Sequence, residues 1–104
     1  MSDPRRTQVV GWLVEGVRTR LAELGEPEPA ELTEATRLVG ERAVLSSLAL
    51  VSLIVEIEQT IEDEWGVALT LADERALSQQ HSPFRSIGTL ADYVAQLLAE
   101  QQQA

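Results

Sequence analysis

Near the start of the chain, Val10, Leu13, Val14, Val17, Leu21 and Leu24 recur at steps of three and four, the spacing that gathers side chains on one face of an α-helix. Asp3 supplies a side-chain acceptor for an N-cap, Pro4 fits the first helical position, where no N–H is needed, and Gly25 supplies a stop. The pattern predicts an amphipathic first helix. It then lapses: "GEPEPAEL" holds two prolines, and the span to Ser46 offers only the scattered apolar anchors Leu32, Leu38, Val39, Val44 and Leu45. This predicts a long loop over 25–46, with at most one short helical turn, packed over the core through those anchors.

From Ser47 to Trp65 helical periodicity returns. Leu50, Ile54, Ile57, Ile61 and Trp65 form one stripe, and Ser52, Glu56, Gln59 and Asp63 lie roughly opposite. The β-branched residues in this run would suit a strand, but the "EQTIEDEWG" that follows excludes a buried one, and Gly66 ends the helix. Trp65 is expected in the core and Trp12 at a partly buried edge. Thr70 with Asp73 resembles a capping box opening a short helix from Leu71 to about Gln79; Pro83 interrupts. Thr89 with Asp92 repeats that pattern before Leu90, Val94, Leu97 and Leu98, which give a last helix its apolar face. The expected fold is all-α: a small bundle of three longer helices and one short one, with a long connection between the first and second.

A chain of 104 residues closes about one hydrophobic core, so residues 1–104 read as a single domain, with the core over about 5–98 and a frayed tail at 99–104. Its eight basic residues are all arginine, and seventeen acids leave a net charge of -9. That surface repels phosphate backbones and anionic lipid heads, which argues against nucleic acid and membrane insertion and for proteins with basic patches. The absence of cysteine removes disulfides, a thiolate nucleophile and zinc-thiolate sites. Arg5 and Arg6 precede apolar residues, but Glu15 cuts that run too early for a signal segment. The longest apolar stretch, Leu48 to Val55, is far below the roughly 20 residues that span a bilayer. A cytoplasmic monomer is expected.

Candidate chemistry centres on Ser46 and Ser47, at the start of the second helix. Unpaired backbone N–H groups and the helix dipole favour an anion there, although a serine at that place also serves simply as an N-cap. A triad of Ser47, His81 and Asp92 lacks a nucleophile elbow and a glycine-rich oxyanion loop. His81 is the only histidine and fits a surface turn beside Pro83. No EF-hand spacing or histidine pair suggests a metal site.

The order of elements, with "LSSLALVSLIVEIEQTIEDEWGV" and "SIGTLADYVAQLL" in place, resembles the acyl carrier protein family over about residues 5–98. The first segment is similar to the family's Asp-Ser-Leu attachment motif and recognition helix, the second to the start of its last helix. The resemblance implies an acyl-carrier-like four-helix bundle that is a carrier and not an enzyme. Ser47, followed by Leu48, would receive 4′-phosphopantetheine from coenzyme A, and the arm's thiol would hold acyl groups as thioesters for fatty-acid, polyketide or other lipid-pathway enzymes. Two departures mark a specialised member. Ser46 stands where the family has aspartate, which keeps the cap but removes a charge that the modifying transferase reads. Trp65 comes four positions after Ile61, where the resemblance expects the helix to end, which adds about one turn.

On the helical wheel Leu48, Val55, Gln59 and Glu62 flank Ser47, with Glu58 at the edge of that face and Ser52 opposite the core stripe. These six residues are the expected partner-binding face for the phosphopantetheinyl transferase and acyl-processing enzymes: charge steers, and Leu48 and Val55 anchor. Cargo is expected to fold inward between the second helix and Leu69, Leu77, Phe84, Ile87 and Leu90. An alternative is an unmodified carrier-like helical module that binds a basic protein partner.

Overall fold

The first helix, α1, runs from Pro4 to Glu23 in the computed structural model, which describes residues 4–25, 31–39, 43–71 and 83–103. The expected cap Asp3 lies outside those residues. Val9, Leu13, Gly16, Val17, Arg20 and Leu21 form its buried face. Val10 and Val14 are only partly buried, so the stripe is rotated slightly from the one the periodicity suggests. Leu24 leaves it altogether at 59% exposure. The reason is local: the helix ends at Glu23, and Gly25, at φ 69°, turns the chain away while its N–H bonds to the Ala22 carbonyl at 3.2 Å.

The second helix, α2, spans Ser47–Trp65, the limits that the sequence predicts. Gly66 closes it in the left-handed conformation, with φ 65°, and donates to the Glu62 carbonyl at 2.9 Å. Leu50, Leu53, Ile54, Ile57 and Ile61 are buried. Arg20 meets Ser52 and Glu56, Gly16 meets Leu53, and Trp12 meets Trp65, so α1 and α2 lie antiparallel. Gly16 sits where α2 crosses: a Cβ there would collide with the Leu53 δ-methyl and lie 3.2 Å from a Glu56 carboxylate oxygen. Trp65 is half-buried rather than core. It stacks on Trp12 with ring centroids 4.9 Å apart at 41°, so the two indoles cover each other at the edge.

The third helix, α3, covers Ile87–Gln103, so helical backbone continues well past residue 98. Its start differs from the expected Thr89/Asp92 pair. The capping box is Ser86 with Thr89: the Thr89 N–H donates to Ser86 Oγ at 3.3 Å, and the Ser86 N–H donates to Thr89 Oγ1 at 2.9 Å. Thr89 is thus the third helical residue and not the cap, and Asp92 instead pairs with Arg6. Ile87, Leu90, Ala91, Val94 and Leu98 are buried, with Leu97 partly so.

The described part of the long loop packs over the core, as its apolar anchors suggest. Leu38 and Leu45 are buried, and Leu32, Val39 and Val44 pack against the same cluster. The segment 31–39 also straps the head of α3. The Ile87 N–H donates to the Thr36 carbonyl at 3.1 Å, the Gly88 N–H to the Glu34 carbonyl at 2.8 Å, and the Leu38 N–H to the Arg85 carbonyl at 2.9 Å. Donors that a helix start leaves without intrahelical partners therefore end on the loop. Gly88 suits this approach: a Cβ would lie 3.1 Å from the Glu34 backbone oxygen, tight enough that the loop would have to give by a few tenths of an ångström. Arg6 adds a side-chain tie, donating to Glu34 at 2.5 Å and to Asp92 at 2.6 Å.

The described residues thus contain three helices and no strand beyond one isolated Arg37–Ser86 bridge. The short helix expected from Leu71 to Gln79 falls, after Leu71, outside them, as do Leu77 and His81. None of the described helices is long and apolar enough to cross a membrane.

Candidate functional site

Ser46 prepares the head of α2. Its backbone is extended (φ -69°, ψ 165°), its Oγ accepts from the Ala49 N–H at 3.2 Å, and its carbonyl accepts from the Leu50 N–H at 2.9 Å. It is the N-cap, and Ser47 is the first helical residue. No acid lies in the first turn, so the partial positive charge of the helix start is not offset there. The nearest acid across the groove beside this helix start is Glu23, at the end of α1, which shares the groove's lining with Ser46 and Leu48.

Beyond Ser47, the exposed face of α2 grades from apolar to acidic. Leu48 is 80% exposed and Val55 56%. Gln59 and Glu62 are exposed farther along, with Gln59 bonded to Asp63 at 3.2 Å. Val51, at 51% exposure, joins the apolar end. Positions 48, 51 and 55 fall at helical steps, so the wheel carries the signal for Val51, but its β-branching reads equally as strand propensity. Four of the six expected partner-face residues, Leu48, Val55, Gln59 and Glu62, therefore share an open surface.

The other two are committed within the fold. Glu58 is half-buried, and its carboxylate accepts from the Leu71 N–H at 2.6 Å, holding the segment after α2 against the helix. Ser52 is exposed, but its Oγ accepts from Arg20 Nη2 at 3.0 Å. Arg20 is 9% exposed and also donates to the Gly16 carbonyl and to Glu56, both at 3.1 Å. A groove of about 180 Å³ opens between the end of α1 and the head of α2, lined among the described residues by Arg20, Glu23, Leu24, Ser46, Leu48, Ala49 and Ser52.

No family model, curated protein or solved structure matches this chain. Its own residues carry the functional reading.

Other chemistry finds less to work with. Ser46 and Leu48, on either side of Ser47, line a groove with Arg20 at the end of α1, whereas Asp92 is tied to Arg6, about 20 Å away along that helix. The structure does not bring Ser47 and Asp92 together. Among the described residues, no group of three or more metal-binding side chains converges. Leu69, Phe84, Ile87 and Leu90, on the expected inward path for cargo, are all core residues at 9% exposure or less.

Proposed function

We propose that this protein is an acyl carrier, with Ser47 as the attachment residue for 4′-phosphopantetheine. The observation that carries this reading is the head of α2: a serine at the first helical position, capped by its neighbour, at the start of a face that stays open over the length of the helix. The arm would supply a thiol that carries acyl groups as thioesters. The chain's own residues do the rest. Ser46 holds the first turn in shape, Leu48, Val51 and Val55 offer apolar contact beside the attachment point, and Gln59, Glu62 and Asp63 present a polar, acidic end to basic partners. In this reading the segment after Leu71 completes a four-helix bundle with its short helix, and the protein is a cytoplasmic, non-catalytic monomer. Cargo that shelters between α2 and Leu69, Phe84, Ile87 and Leu90 has to part side chains now packed together.

Incubation of apo-protein with coenzyme A, Mg²⁺ and a broad-range phosphopantetheinyl transferase should add the mass of one arm, and Ser47→Ala should abolish the gain. Failure with several transferases, or a gain that persists in Ser47→Ala, would sink the reading. Ser46→Asp should accelerate loading, because it restores a charge at the cap without removing the acceptor.

The open apolar stripe on α2 also suits a second reading, an unmodified helical module that docks on a basic protein. Intact-mass analysis of protein recovered from its own host separates the two: persistent absence of the arm favours the module.

A further inference from the structure

Among the described residues, the large apolar side chains left exposed are Leu24, Leu48, Val51 and Val55. Three lie on α2. The fourth comes from the end of α1, and Leu24 and Leu48 both line the groove between that end and the head of α2. Its volume of about 180 Å³ is below the roughly 300–1,000 Å³ of a small-molecule pocket, which suits one protruding side chain and not a substrate molecule. The charge around it is specific. Arg20 engages both terminal guanidinium nitrogens with Gly16, Glu56 and Ser52, leaving its buried Nε without a partner among the described residues, while Glu23 stands exposed on the lining. A complementary partner therefore presents an apolar side chain next to an arginine or lysine.

We infer that this groove is an anchoring notch for one apolar side chain of the enzyme that loads Ser47, with a basic residue of that enzyme facing Glu23. The inference rests on the carrier reading, and continuity along the chain supports it. Ser46 and Leu48 flank Ser47 in the chain, Ala49 follows, and Ser52 is about 7.5 Å farther along the axis than Ser47. An enzyme seated over Ser47 covers the groove. The docking surface thereby extends beyond α2 onto the end of α1, and Leu24, which serves no purpose in the core, becomes part of it.

Steady-state loading by a broad-range phosphopantetheinyl transferase with coenzyme A and Mg²⁺ tests this on the full chain. Leu24→Asp should raise KM for the carrier about tenfold, or about 1.4 kcal/mol, with kcat essentially unchanged and an unaltered helical circular dichroism spectrum. Glu23→Arg should also raise KM, and added salt should shrink that effect. Wild-type protein that loads normally while both variants keep its KM overturns the notch and leaves the carrier reading standing. Wild-type protein that never loads overturns both. A wild-type dimer in sedimentation that Leu24→Asp dissolves assigns the groove to a second copy and overturns the notch.

Discussion

Gly16 and Gly11 share one helix and yet face opposite circumstances. A Cβ at Gly11 meets nothing within 4 Å, whereas one at Gly16 runs into a δ-methyl of Leu53, a fully buried side chain that could yield only by repacking within the core. Replacing glycine inside a helix gains about 0.5–1 kcal/mol from propensity. Gly11→Ala should therefore stabilise the protein by that amount. Gly16→Ala should instead destabilise it by about 1–2 kcal/mol, since overpacking a core costs about 1–3 kcal/mol and propensity offsets only part. Urea unfolding of the two variants decides the matter, and a stabilised Gly16→Ala would mean that the helices part without cost. Arg20 belongs to the same contact. Gly16 leaves room for its guanidinium to reach the carbonyl one turn back and both polar side chains of α2.

The helices differ in how far their own residues define them. For α2, Ser46 at one end and Gly66 at the other are local signals, and both limits are legible in the sequence alone. Ser46→Ala should cost about 0.5–2 kcal/mol in denaturant unfolding, and Ser46→Asp should restore most of it; equal stability of all three would show that the cap carries no weight. The start of α3 is ambiguous in sequence because two overlapping pairs, Ser86/Thr89 and Thr89/Asp92, have the same spacing. What selects the first is the loop, whose carbonyls accept from Ile87 and Gly88, and no periodicity within α3 encodes that. The candidate site shows the same division. Exposure of Leu48, Val55, Gln59 and Glu62 follows from the wheel, while the diversion of Glu58 to Leu71 and of Ser52 to Arg20 depends on residues 13 and 32 positions away. Trp65 lies at the edge and not in the core for a similar reason: its partner, Trp12, arrives from α1.

At the scale of the whole molecule, Arg6 joins three parts of the chain, α1, the loop at Glu34 and α3 at Asp92. Its hydrogen bond holds the Glu34 carboxyl below its ordinary value of 4.5, and Glu34, then Asp92, drive the guanidinium's own pKa up. A carboxylate with a depressed folded pKa contributes stability that is present above its unfolded pKa and lost as pH falls through the folded value. Wild-type protein should therefore be more stable than Glu34→Gln at neutral pH, and the gap should begin to narrow below about pH 4.5 and close as pH falls through the lowered folded value. Urea midpoints measured across that range test this; a gap that stays constant with pH would remove Glu34 from the account. Because the pair is largely exposed, salt should narrow the gap as well. The strap beneath this tie has a further consequence for anyone dividing the protein into pieces. Acceptors for the first N–H groups of α3 reside about fifty positions upstream, between Glu34 and Thr36. A synthetic peptide of Ile87–Gln103 should fray at its start in water. Adding a second peptide that contains residues 31–39 should order that first turn, a complementation readable by amide hydrogen exchange.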